Sequence, residues 1–200
     1  MRGSIIITIF FILGTICGFL HLIPFDFSEN NVSFYALCAL MFCVGISVGN
    51  DPQNLRNFRS LNPRILLLPV MTILGTLAGC FVVGLLLPER TPAECMAVGS
   101  GLGYYSLSSI FITEYKGAEL GAIALLANIG REIFTLLFAP LLVRWFGNLA
   151  PIAAGGATTE DTTLPIITRT AGEEFTLISI FHGFVVDFTV PFLVTLFCSL

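Results

Sequence analysis

The chain has 200 residues, 56% of them apolar and 11% charged, with a formal net charge of −4. Soluble domains carry roughly 25% charged residues, and a soluble core would not arrange the deficit as repeated apolar runs near the bilayer-crossing length of about 20 residues. The acidic balance leaves no basic patch to neutralise phosphates, which excludes nucleic acid as a partner.

Arg2 precedes the run IIITIFFILGTICGFL, which looks like a signal peptide. The run is long, however, and HLIPFDF follows it in place of a small-x-small cleavage site, so residues 4–24 form the first predicted span. A short acidic loop with Asp26 and Glu29 leads to a second span over residues 32–49, which ends in the polar stretch NDPQNLRNFRSLNPR. The third covers residues 65–87 and stops at Pro88, the fourth residues 93–112 and the fifth residues 118–145. A shorter sixth segment lies between Pro151 and Thr168, and the seventh covers residues 175–200. The expected fold is an all-α integral membrane protein of about seven transmembrane segments, one transporter domain over residues 1–200 in the lipid bilayer. Cys17, Cys38, Cys43, Cys80, Cys95 and Cys198 all lie in apolar runs without metal-ligand spacing, as small hydrophobic residues of helices do. No metal site and no cofactor are expected.

Lys and Arg in the loops set the orientation. With the N-terminus in the cytoplasm, Arg2, Arg56, Arg59, Arg64, Lys116 and Arg169 lie inside, Arg90 and Arg144 outside, and Arg131 within a span. The C-terminus then lies outside.

Two of the segments are poor continuous helices. In GSGLGYYSLSS, residues 99–109, Gly99, Gly101 and Gly103 interrupt an apolar span, each costing about 1 kcal/mol relative to Ala in a helix. Small residues also permit close helix packing in membranes. Three glycines followed at once by Tyr104, Tyr105, Ser106, Ser108 and Ser109 favour an unwound stretch facing a cavity. In PIAAGGATTEDTTLP, residues 151–165, the prolines bracket Gly155, Gly156, the threonines Thr158, Thr159, Thr162 and Thr163, and the adjacent acids Glu160 and Asp161. An extracellular loop is the simpler account, but no other stretch supplies the span needed before Arg169. Asp161 could cap a half-helix starting at Thr162, with Pro165 in its first turn. Two broken segments resemble the discontinuous helices with which secondary transporters build midplane sites.

The fifth span holds Asn128, Arg131 and Glu132. An ionised residue at that depth costs at least about 2.5–3.5 kcal/mol. Asn128 and Glu132 are four apart and share a helix face. A structural Arg–Glu pair would explain the charges; a transport pathway explains them better. In the seventh span, His182 stands within two turns of the end, where an interfacial position suffices, and Asp187 lies deeper. Glu132, Glu160, Asp161 and Asp187 outnumber the one interior base, Arg131. Such a surplus suits a cation or a proton relay, and an anion only where half-helix N-termini supply positive charge.

At these residues the sequence resembles the bacterial lysine exporter LysO family. The resemblance is carried by FCVGISVGND (42–51), GSGLGYYSLSSIFITE (99–114), GAIALLANIGREI (121–133), GATTEDTTLPIITRTAG (156–172) and HGFVVDFTVPFL (182–193), in order over nearly the whole chain. It implies an inner-membrane exporter of L-lysine and toxic analogues, driven by proton antiport, with sodium as the alternative coupling ion. It also implies a fold similar to bile-acid-type symporters. Family members carry roughly three further spans before the point where this chain starts, so the resemblance implies a separate N-terminal subunit or a truncated form, with a homo-oligomer as the other assembly. The expected substrate and proton contacts are Glu132, Asp161, Asn128, Arg131, Ser106, Tyr105, Thr159 and Asp187, with Glu160 an additional acid. A passive channel or a transporter subunit for another small solute is the alternative. An intramembrane metalloprotease, suggested by Glu173, Glu174, His182 and Asp187, lacks the arginine its motif requires, since Ile178 stands there.

Overall fold

The computed structural model describes residues 63–200 and, before them, only the isolated positions Leu13, Ile16, Cys17, Leu20, Tyr35 and Phe42. The chain divides into two compact units, Met1–Gly49 and Asn50–Leu200, and the elements below belong to the second. The first two expected spans, with their small residues Gly14, Thr15, Gly18, Gly45, Ser47 and Gly49, lie outside the described residues.

Among the described residues every regular element is helical. A 3-10 turn at Pro63–Leu66 leads into α1, Leu67–Leu86. The helix α2, Pro92–Gly99, starts on a capping box. Thr91 Oγ1 accepts from Glu94 N at 3.2 Å, Glu94 Oε2 accepts from Thr91 N at 2.8 Å, and Pro92 occupies the first turn. After an interruption, α3 runs Tyr105–Lys116 and turns at Gly117 into the long α4, Ala118–Phe146. The segment α5, Ala150–Gly155, passes into a 3-10 turn at Gly156–Glu160, and α6 follows at Leu164–Ala171. A further 3-10 turn at Glu173–Phe175 opens α7, Thr176–Cys198.

Among the described residues, three helical stretches are long and apolar enough to cross a bilayer: Leu67–Leu86, Ala118–Phe146 and Glu173–Cys198. Their side chains are sorted for that setting. On α7, Val186, Val190 and Val194 recur every four residues and are fully buried, while Phe188, Phe192 and Leu196 are more than half exposed on the opposite side. A helix with one packed stripe and an apolar outer face suits hydrocarbon, where the packed side need not be the more hydrophobic one.

The pairs α2/α3 and α5/α6 are interrupted. The first break spans residues 100–104. Its turns are closed by Leu102 N donating to Gly99 O at 3.0 Å and Tyr104 N to Gly101 O at 2.7 Å. Leu102 is fully buried with φ 49°, a left-handed conformation costing a side-chain-bearing residue roughly 1–2 kcal/mol. The second break covers the 3-10 turn and residues 161–163. The half-helix expected from Thr162 begins at Leu164 and takes Thr163 as its N-cap. Thr163 is held in the preceding turn, its N–H donating to Thr158 O at 3.0 Å. Asp161 accepts from the neighbouring Thr162 N and caps no helix.

Candidate functional site

The two breaks cross. Ala157 N donates to Leu102 O at 2.9 Å, joining them backbone to backbone. Two glycines make the approach feasible. A Cβ on Gly156 would collide with the Leu102 carbonyl, and one on Gly103 would stand 3.0 Å from Gly155 O; both residues have positive φ.

Side chains of the long helices bind the freed backbone. On α4, Asn128 is buried, its Oδ1 accepting from Gly103 N at 2.8 Å and its Nδ2 donating to Val98 O at 3.1 Å and Ala124 O at 2.9 Å. One turn on, Arg131 donates from Nε to Ala154 O at 2.8 Å, from Nη2 to Ala153 O at 2.9 Å and from Nη1 to Thr76 Oγ1 at 3.1 Å. The guanidinium therefore meets the C-terminal carbonyls of α5, where the helix dipole favours a cation. In the second break, Thr158 Oγ1 donates to Gly155 O at 3.0 Å and Thr163 Oγ1 to Thr158 O at 2.9 Å. Thr159 Oγ1 lies among Gly156 O, Ser179 O and His182 Nδ1.

Beside the crossing is a cavity of about 170 Å³. The first break and the start of α3 contribute Gly103, Tyr104, Tyr105 and Ser106, and the second break contributes Ala157, Thr158, Glu160, Asp161 and Thr162. Glu132 enters from α4 and Asp187 from α7. Four carboxylates thus share a wall in which, among the described residues, there is no Lys, Arg or His. Glu132, Glu160 and Asp187 are half-buried and Asp161 is exposed. A second, larger groove of about 370 Å³ lies along α1, α2 and α4, and its lining is mostly apolar, including Gly75, Gly79, Cys80, Val83 and Val98. Size does not decide between them. Only the smaller one gathers carboxylates, hydroxyls and irregular backbone.

Of the residues singled out in the sequence, the structure brings Glu132, Asp161, Asp187, Tyr105 and Ser106 to the cavity. Asn128, Arg131 and Thr159 lie next to these in sequence but hydrogen-bond to the backbone of the breaks. The polar wall also takes in Tyr104, Thr158 and Thr162, and Glu160 joins it as a fourth acid. His182 does not face the protein surface. It is fully buried, with Nδ1 3.1 Å from Thr159 Oγ1 and Nε2 3.0 Å from Thr72 Oγ1. Glu173 and Glu174 are exposed, so they do not join the buried His182 in a protease-like group.

The family described as "Lysine exporter LysO" matches residues 8–198 of the chain. The chain is similar to the "Lysine exporter LysO" of Escherichia coli (strain K12), 33% identical over 172 residues that cover 85% of this chain and 56% of that protein. It thus spans little more than half the length of that relative. It is also similar to the "Putative lysine exporter" of Haemophilus influenzae, 34% identical over 189 residues, which cover 94% of this chain and 92% of that protein. No solved structure matches.

Proposed function

Because this chain belongs to the lysine exporter LysO family, we propose that it exports L-lysine and close analogues across the bacterial inner membrane by secondary active transport, with protons moving in the opposite direction. The observation that carries this reading is the cavity at the crossing of the two breaks, with its four carboxylates and, among the described residues, no basic side chain. A substrate with two ammonium groups finds acidic partners there, and in its absence protons can neutralise the same acids. Glu132 and Asp161, on different elements, are the acids at which a proton exchanges for the substrate cation. Tyr105, Ser106 and Asp187 complete the contacts, while Asn128, Arg131 and Thr159 serve the site from behind its wall.

The proposal extends to the whole membrane arrangement: about seven segments in one transporter domain, two of them discontinuous, similar to bile-acid-type symporters, with the N-terminus cytoplasmic and the C-terminus outside. It also includes an assembly, either with a separately encoded three-span subunit or with a second copy of the chain. Supporting this, Gly75 and Gly79 form a small-xxx-small step on α1, and beyond the helix's own backbone nothing among the described residues lies within 4 Å of where a Cβ would stand. Cross-linking in native membranes tests the assembly; a monomer that moves lysine alone would refute it.

The transport reading is tested in proteoliposomes loaded with lysine, with and without an imposed pH gradient. Antiport predicts that an inward proton gradient accelerates efflux and drives lysine out against its own gradient. Efflux that only follows the lysine gradient would make the protein a passive channel, and no lysine movement would remove the substrate assignment.

A further inference from the structure

His182 stands outside the cavity, yet it is 0% exposed and engaged through both ring nitrogens. Its Nδ1 partner, Thr159, immediately precedes Glu160 and Asp161, which line the cavity. The protons in this contact can be placed. Thr159 Oγ1 lies 2.8 Å from Gly156 O and 3.0 Å from Ser179 O. Carbonyl oxygens only accept, so we assign the hydroxyl proton to them and the ring proton to Nδ1, which then donates to the hydroxyl lone pair. Nε2 of the neutral ring then accepts, and Thr72 O–H donates to it at 3.0 Å. A directed chain results, from α1 through His182 on α7 to the second break.

The same turn of α7 grips Thr159 again, with Ser179 Oγ donating to Thr159 O at 2.8 Å. Beside His182, Gly183 has no side chain, and a Cβ there would stand 2.6 Å from Glu160 N. Hydroxyl, carbonyl and neighbouring amide of this one stretch are thus all fitted to α7.

We propose that His182 is a positioning residue for the transport site: its Nδ1–H holds Thr159, and through it the carboxylates of Glu160 and Asp161, in place against α7. This inference rests on the cavity being the transport site. The competing role is a plain anchor between α7 and α1 through Nε2 and Thr72, and side-chain shape separates the two. His182→Asn keeps an N–H donor near the Nδ1 position and gives up Thr72. His182→Gln reaches toward Thr72 and gives up the donor to Thr159.

Lysine counterflow in proteoliposomes should show His182→Gln raising the half-saturating lysine concentration about tenfold, the factor that about 1.4 kcal/mol of lost positioning produces, with the maximal rate near wild type. His182→Asn should restore half-saturation to within about twofold of wild type. Amide hydrogen exchange over residues 156–163, measured in detergent without lysine, should be faster in the Gln variant and wild-type-like in the Asn variant. Equal impairment of the two variants, a fall in maximal rate at unchanged half-saturation, or identical exchange in both would overturn the proposal. Should the Gln variant fail to insert, Thr159→Val replaces it with the same expected rise, and Thr72→Val should stay near wild type; the reverse ranking overturns the proposal. If the wild-type protein moves no lysine, the transport assignment fails, while the exchange comparison still decides whether His182 clamps Thr159.

Discussion

Asn128→Ala tests whether α4 holds the first break open. In the native protein the Asn128 amide accepts from Gly103 N at 2.8 Å and donates to Val98 O and Ala124 O. Truncation takes away the acceptor that the buried Gly103 N–H meets, and stranding such a donor costs about 1–3 kcal/mol. The two carbonyls lose less, because Val98 O also accepts from Gly101 N at 3.3 Å and Ala124 lies within α4. At about 0.6 kcal/mol for each such contact in a membrane protein, the total comes to about 2–4 kcal/mol. A chain of this length melts about 2–4 °C lower per kcal/mol, so the midpoint should fall by about 4–16 °C. The assay is a fluorescence melt in mild detergent, with Glu132→Gln, four residues along the same helix, as a control that should keep the wild-type midpoint. An Asn128→Ala midpoint within about 2 °C of wild type would show that this amide does not hold Gly103.

Glu132→Gln and Asp161→Asn should each reduce lysine efflux more than about tenfold while the protein inserts normally, and Glu160→Gln should be milder. Efflux from loaded cells, normalised to membrane-inserted protein, ranks the three, and greater sensitivity at Glu160 would reverse the roles of the adjacent acids. Gly101→Ala and Gly103→Ala should impair efflux more than insertion. A Cβ on Gly101 would stand 2.6 Å from Asn128 Nδ2 and from Ser108 Oγ, and Gly103 has φ 99°; efflux at the wild-type rate in both would refute the fit. Arg131→Lys cannot reproduce the forked contacts to Ala153 O and Ala154 O. Losing one charge-assisted hydrogen bond should lower stability by about 1.5–3 kcal/mol, read as a lower melting midpoint, and an unchanged midpoint would refute the clamp.

The sequence made the long helices legible because a bilayer demands length and apolarity together, and 67–86, 118–146 and 176–198 satisfy both. It pointed to the breaks because Gly101, Gly103 and Gly156 interrupt apolar runs next to hydroxyl side chains, whereas Gly99 and Gly155, expected to be unwound as well, are the last residues of α2 and α5. It could not apportion the polar residues between wall and support. Helical spacing places Asn128 and Glu132 on one face, yet the amide is taken up by Gly103 while the carboxylate reaches the cavity. Arg131 has no local sign that its partners are carbonyls 22 and 23 residues away. His182 looked interfacial from its distance to the end of α7, and its burial comes from Thr72 and Thr159, which only the tertiary packing brings to it. Such contacts are set by the crossing, and one-dimensional periodicity carries no record of them.

The bond from Ala157 N to Leu102 O also governs how this molecule can move. It lies where Leu102 and Gly156 are both buried, away from water that could replace it. Pulling the breaks apart would strand a donor at a cost of about 1–3 kcal/mol and empty the notch that Gly156 provides. While this bond holds, Glu160, Asp161 and Ser106 keep their mutual placement. Elsewhere α1 is tied to α7 and α4 through the hydroxyls of Thr72 and Thr76, which meet His182 and Arg131. A hydroxyl can rotate to a new partner within a turn of the helix, so these contacts can be exchanged one at a time while the crossing stays intact.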